Sequence, residues 1–347
     1  MKHYFILLLL IGYGFTVSAQ FNSEKEPYLT RSLSNDAVKK VSMETTGGNI
    51  SVFSAGSSDA RLEVYVQANN GKNSLLSKDE IKKRMEELYD LDISLSENKL
   101  TAKAEPKHKN MDWKRSLSIS FKAYVPASVS TDLSTSGGNI NLKGISGTQN
   151  FTTSGGNLNI EDVTGKIKGR TSGGNLNLRN LKDDIDLTTS GGNVDADNCT
   201  GNIKLTTSGG SLNLKDLRGH ISATTSGGNV RGTDIGGELI ANTSGGSIVF
   251  KELTCSLETS TSGGNIDVSI KEFGEYCKIS NSGGNIDLTI PKNKGADLKL
   301  SAEKIKTSGL ENFSGTKDDD SIKGKLNGGG VPVTVSTGSG NIYLTLK

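Results

Sequence analysis

The sequence predicts an all-β protein, a single-stack β-solenoid of 18-residue coils, and three observations carry that prediction. Glycine pairs open at Gly137, Gly155, Gly173, Gly191, Gly209, Gly227, Gly245 and Gly263, each 18 residues after the last, and Gly283 follows after 20. Three places beyond each first glycine stand Ile140, Leu158, Leu176, Val194, Leu212, Val230, Ile248, Ile266 and Ile286, all aliphatic. Two places further on lies a second, mostly apolar position, from Leu142 and Ile160 to Val268 and Leu288. A fixed period means a stacked array, and apolar alternation with period two means strands with one buried face.

Taken in chain order, "MKHYFILLLLIGYGFTVSAQ" reads as a secretory signal over 1–19. Lys2 supplies the positive start, residues 5–15 the apolar core, and Val17-Ser18-Ala19 the small-residue cleavage site. The apolar core is too short to span a bilayer. A flexible leader over 20–40 is expected next, then an N-terminal capping region over 41–126. In that region "TTGGNISVF" (45–53) is an early, imperfect copy of the repeat, and 61–66 reads as a further strand. "SKDEIKKRMEELYD" predicts a short helix near 78–89. Ser77 and Glu80 are spaced as a capping box, and Ile81, Met85 and Leu88 form one apolar stripe. Strands are expected over 91–95, 100–104 and 117–125. Trp113, Phe121 and Tyr124 read as core aromatics rather than a ligand platform.

The solenoid repeats and closing strands occupy 127–347. A second strand in each unit is marked by Ile167, Ile185, Ile203, Ile221, Leu239 and Leu257. Between the strands runs a third inward column, Ile145, Val163, Leu181, Cys199, Leu217, Ile235 and Leu253. A lone unit buries too little to offset the ordering of its backbone, whereas stacked units share one core. The turns are Ser136-Gly137-Gly138-Asn139, Ser154-Gly155-Gly156-Asn157, Ser172-Gly173-Gly174-Asn175 and Ser190-Gly191-Gly192-Asn193, and they continue along the chain with Ser211 and Ser247 replacing asparagine. The glycines are expected at positive φ. The asparagines are expected to pair amide to amide at the ~4.8 Å spacing of stacked strands. Outward charges alternate in sign at Lys143, Glu161, Arg179, Asp197 and Lys215, and again at Lys168, Asp186 and Lys204, as neighbouring rungs require. Residues 301–326, rich in Lys, Asp and Ser, read as a long surface loop.

The chemistry-bearing residues are sparse. Net charge is +2, which speaks against a nucleic-acid partner. Cys199, Cys255 and Cys277 have neither disulfide-framework nor zinc spacing. Cys255 sits where most units carry glycine, and a Cys255–Cys277 bridge stays open. Asp195, Asp267 and Asp287 share one repeat position with Asn141, Asn159, Asn177 and Asn213, too few carboxylates for a calcium array. The hexapeptide left-handed helix is set aside because Ser146, Thr164 and Lys182 break its six-residue rule. His108 and His220 look isolated. The acidic group Asp183, Asp184, Asp186, Asp195 and Asp197 is the nearest thing to a glycan-cleaving pair. On regular outward positions it reads as a solvated charge ladder.

The "TSGGNI.L" units, the "AYVPASVSTDLSTSGGNI" entry into them, the "IPKNKGADLKL" segment after them and the closing "GSGNIYL" resemble, in that order, the bacterial putative-adhesin family of β-strand-repeat proteins, a domain of unknown function. The resemblance covers roughly 41–347. It implies an exported β-solenoid with an adhesin-like role and transfers no catalytic residues. The expectation is an exported, non-catalytic scaffold at the periplasm, cell surface or outside the cell, without cofactor or metal, without a membrane span, monomeric or weakly self-associating. Its partner would be an envelope protein or a glycan. A polysaccharide-active β-helix enzyme using the 183–197 acids and a purely structural envelope protein remain the alternatives.

Overall fold

The computed structural model of the chain describes residues 26–69, 76–108, 112 and 114–347. The expected signal over 1–19, the leader over 20–25 and Trp113 lie outside the described residues.

Coils lie directly over one another. Ile140 pairs with Leu158, Leu158 with Leu176, Leu176 with Val194, and so on in parallel register, each step 18 residues long. Every coil contributes to two stacks of parallel strands. One stack contains Ile140–Lys143, Leu158–Glu161 and Leu176–Arg179. The other contains Ser146–Thr153, Thr164–Arg170 and Lys182–Thr188. From Val194 onward the two segments of a coil run on as one bent strand, as in Val194–Thr206 and Leu212–Thr224.

The core is a continuous aliphatic column between the stacks. The nine residues of the Ile140–Ile286 series are all 0% exposed. Ile145, Val163, Leu181, Cys199, Leu217, Ile235 and Leu253 form a second buried column, and the Ile167–Leu257 series a third. This fold follows from the period-two pattern. Each inward side chain meets its equivalent one rung up and one rung down, so burial accumulates only when the coils stack.

The corner between the stacks uses left-handed backbone. Asp162, Asn180, Asn198, Asp216, Asp234 and Glu252 hold φ between 51° and 56°, a region that Asp and Asn enter more readily than other side chains. Three residues on, Gly165 (φ 113°) and Gly201 (φ 121°) flank Asp183, which is forced to φ 81°.

The glycine pairs of the turns behave differently from expectation. None of them adopts a left-handed φ. The second glycine is required by proximity: a Cβ on Gly156 would lie 1.9 Å from the Gly138 carbonyl oxygen, and the same contact recurs from Gly138 to Gly264. The first glycine is exposed, and a Cβ on Gly155 would meet nothing closer than 3.8 Å.

Both ends reverse the order of coils. The unit with Lys40–Thr45 and Ile50–Ser54 is not terminal but sandwiched between Lys99–Pro106 with Leu117–Val125 on one side and Ser130–Thr135 with Ile140–Lys143 on the other. At the far end Val331–Thr337 and Asn341–Leu346 sit between the last regular coil and Ala296–Ser301 with Lys304–Ser308. Antiparallel strands finish each end. Arg61–Ala68 and Tyr89–Ser96 do so at the N-terminal end, and Ser321–Leu326 with Phe313–Lys317 at the other.

Two expectations are corrected here. The stretch expected as a leader forms the strand Leu29–Ser32 against Arg61–Ala68, anchored by buried Leu33 and Val38. The expected surface loop over 301–326 is three strands, because Ile305, Ile322 and Leu326 point inward between its charged residues. The helix runs Lys78–Leu88, with Met85 buried and the Glu80 N–H donating to Ser77 Oγ. The Glu80 carboxylate turns to Arg84 instead of completing the capping box.

Two substitutions test these constraints. Gly156→Ala should destabilise the protein by about 3 kcal/mol or more, since backbone rather than a movable side chain blocks the methyl. Gly155→Ala should change stability by less than about 0.5 kcal/mol; equal effects in denaturant titration would refute the proximity argument. Asp183→Gly should raise the melting temperature, relieving about 1 kcal/mol of backbone strain, and a lower melting temperature would show that the carboxylate is needed.

Candidate functional site

The turn row is engaged in its own stacking. The N–H groups of Ser154 and Gly155 both donate to the Ser136 carbonyl, at 3.1 and 2.9 Å, and Ser172 and Gly173 repeat this on Ser154. Ser190 and Gly191 do the same on Ser172. The asparagines pair side chain to backbone rather than amide to amide. Asn157 N–H donates to Asn139 Oδ1, Asn175 N–H to Asn157 Oδ1 and Asn193 N–H to Asn175 Oδ1, each at 2.8 Å. Serine replaces asparagine readily at 211 and 247, because a hydroxyl also accepts that bond: Asn229 N–H reaches Ser211 Oγ at 3.2 Å.

Sequence reasoning gave the threonine before each serine no role. Thr153 Oγ1 donates to the Gly138 carbonyl at 2.8 Å and accepts the Gly156 N–H at 3.3 Å. Thr171, Thr189 and Thr207 repeat both bonds, all within 2% exposure. Recurrence of threonine at that place in eight consecutive units, Thr135 to Thr261, was the available signal. A buried hydroxyl bonding twice at 18-residue intervals is structural glue.

The outward face of the first stack carries a groove of about 980 Å³ running from Phe53 to Lys251. Two side-chain rows line it. In one, amides do pair as a ladder: Asn141 Nδ2 to Ser51 Oγ at 3.0 Å, Asn159 Nδ2 to Asn141 Oδ1 at 2.7 Å, and Asn177 Nδ2 to Asn159 Oδ1 at 2.7 Å. In the other, Lys143, Glu161, Arg179, Asp197 and Lys215 are register neighbours. Lys143 reaches Glu161 at 3.1 Å and Lys215 reaches Asp197 at 3.8 Å.

The five acids singled out in the sequence do not converge. Asp195 and Asp197 line this groove. Asp184 and Asp186 sit on the other stack, in a separate shallow depression beside Lys166, Lys168 and Lys204, and Asp183 occupies the strained corner. Asn213 donates to Asp195 at 2.7 Å and Asn202 to Asp184 at 2.9 Å.

His220, which looked isolated, is not. Its Nδ1 lies 2.9 Å from Glu238 Oε2, and the Tyr276 hydroxyl donates to Glu238 Oε1 at 2.7 Å. The Tyr276 hydrogen bond, then that of His220, holds the Glu238 carboxyl below its ordinary range; the same Glu238 bond pushes Tyr276 up to about 12. Residues 38 apart meet here because the coil carrying Tyr276 holds extra residues, a spacing break visible as the 20-residue interval before Gly283. Ser256 is the register neighbour of Glu238 and lines the same small depression, and its Oγ accepts the Glu275 N–H at 2.8 Å. Among the described residues no three His, Cys, Asp or Glu side chains are placed to hold a metal ion.

All three cysteines are unbridged and buried. Burial pushes the thiols up, Cys199 to about 11 and Cys255 and Cys277 to about 12. Cys255 shares register with Gly237 yet stays out of the left-handed region, where the strand bulges toward Phe273.

These features define the class as a parallel β-solenoid whose outer face carries a long groove. Residues 179–345 match the model of the Toastrack DUF4097 family, a domain of unknown function. Two solved structures align with the chain. One is a putative cell adhesion protein from Clostridium sporogenes ATCC 15579, 10% identical over 92% of this chain and 98% of that one, with a TM-score of 0.19. The other is a putative adhesin from Bacteroides fragilis NCTC 9343, 13% identical over 92% and 96%, with a TM-score of 0.21. Superpositions this loose carry no argument about the site. No curated protein matches the chain. Among the described residues no helix is long and apolar enough to cross a membrane.

The thiols make a direct test of the core. At pH 8 a disulfide reagent should label none of the three in the native protein and all three in denaturant, since neutral buried thiols are poor nucleophiles. Labelling of Cys255 or Cys277 under native conditions, or fewer than three in denaturant, would contradict the packing.

Proposed function

We propose that the protein is an exported, non-catalytic β-solenoid scaffold with an adhesin-like role, presenting its outward faces to partners at the cell surface or in the envelope. The observation that carries this reading is the outward face itself, where one groove spans eight rungs from Phe53 to Lys251, with a pair of outward side chains on each rung after the first. An enzyme concentrates its chemistry at one place; a binding surface of this kind distributes it. The division of the Asp183–Asp197 acids between two faces supports the same reading, because glycoside hydrolysis needs two carboxyls facing one bond. The match to the Toastrack DUF4097 family and the order of the repeat signatures support the family role. The signal-like N-terminus supports export.

The mature protein on beads should retain components of a detergent-solubilised envelope fraction saturably, while releasing no reducing ends from polysaccharide substrates. Release of reducing ends that Asp184→Ala or Asp197→Ala abolishes would replace the scaffold with an enzyme. Absence of any saturable capture would remove the adhesin-like role.

A further inference from the structure

The groove ends on an aromatic side chain, and that end indicates what the groove takes. Phe53 lines it, and among the described residues no other aromatic does. The ring is held from behind. Its centroid lies 5.8 Å from that of Tyr124 at 56°, and the Arg61 guanidinium stacks 3.8 Å over Tyr124. Glu63 fixes Arg61 at 2.7 Å and is itself held by the Tyr65 hydroxyl at 2.8 Å. Tyr124 and then Arg61 lie on the strands beyond Phe53, away from the groove, the Lys122 amino group lies 5.8 Å from the Phe53 centroid, and Phe53 is the ring that lines the groove. The next rung places Lys143 beside Phe53 and Asn141 beside Ser51 in register.

Beyond Phe53 the asparagine ladder begins. Asn159 uses one amide hydrogen on Asn141 and one carbonyl lone pair for Asn177. That leaves each amide one N–H and one lone pair, repeated every ~4.8 Å along the stack. Alternate donors and acceptors at short, regular spacing suit a chain of hydroxyl groups, and an aromatic face suits the C–H face of a pyranose ring. From Phe53 to Asn177 this gives a track of about 14 Å, within a groove that continues to Lys251.

Charge narrows the class. From Asn141 to Lys215 the lining charges balance, Lys143, Arg179 and Lys215 against Glu161, Asp195 and Asp197, with Lys143–Glu161 and Lys215–Asp197 paired; Arg231 and Lys251 lie beyond. A polyanion laid along the row would meet a carboxylate on every second rung at Glu161 and Asp197, and a polycation would meet Lys143, Arg179 and Lys215. An extended peptide would seek a free strand edge, whereas the groove presents side chains in the middle of a sheet. We propose that this groove binds a linear, uncharged glycan, with Phe53 stacking on one sugar and the Asn141–Asn159–Asn177 ladder bonding the hydroxyls of those that follow. The inference rests on the scaffold reading above and names the ligand for the same face.

The test is affinity electrophoresis of the mature protein through gels holding hydroxyethylcellulose, glycol chitin, hyaluronan or heparin. One of the two neutral polymers should retard it, with Phe53→Ala weakening the interaction about tenfold, the equivalent of one stacking contact, and Phe53→Trp restoring it. Asn159→Ala should weaken it as well, while Lys204→Ala on the other stack leaves it unchanged. If Phe53→Ala fails to fold, the Asn159→Ala and Lys204→Ala pair decides. Retardation by neither neutral polymer, equal or stronger retardation by heparin or hyaluronan, or neutral binding indifferent to Phe53 and Asn159 would overturn the proposal. Saturable capture of envelope components without neutral-glycan binding would sink this inference alone; loss of both would sink the scaffold reading with it.

Discussion

Everything in this molecule depends on how closely one coil lies over the next at the second glycine of each turn. A methyl group there would sit inside the neighbouring carbonyl, as at Gly156 over Gly138. That contact sets the vertical spacing, and the other stacked interactions inherit it. The buried threonine reaches the carbonyl below only because the backbones are so near, and the asparagine side chain bridges the same gap from outside. The aliphatic columns then stack continuously because equivalent residues are directly superposed. A rigid polar turn and a soft apolar core therefore enforce a single spacing from two sides.

The regular part of this architecture was legible in the sequence because its causes are local and repeated. An inward aliphatic every second residue, recurring every 18, leaves no other way to bury the set. What escaped was of two kinds. The first was the reason for a residue: the turn glycines answer to the backbone of the next coil, which no single unit reveals, and the corner aspartates and asparagines take the left-handed conformation expected of glycine. The second was order at the ends. The unit at 45–53 was recognisable as a copy, but nothing local tells it to slot between 99–125 and 130–143. Likewise Ile305 and Ile322 are too widely spaced among charges to announce strands.

The site was legible only in outline. The alternation from Lys143 to Lys215 places those side chains as neighbours, and the structure has them so. Phe121 and Tyr124 both read as core aromatics in the sequence, because strand spacing does not say which face a ring occupies. Phe121, two residues before Ala123, is the buried member, while Tyr124 lies outside. The His220–Glu238–Tyr276 contact depends on the extra residues in one coil, and irregularity is what a periodic reading discards.

The inverted ends bear on how such a chain can change in length. Each terminal assembly is closed by strands distant in sequence, so new coils enter most simply in the middle, as copies of the repeating unit. A single duplicated unit around Glu161 would set two carboxylates face to face along the outer row, whereas a duplicated pair would preserve the sequence of opposite signs. Growth by twos is thus the path of least electrostatic resistance for this scaffold.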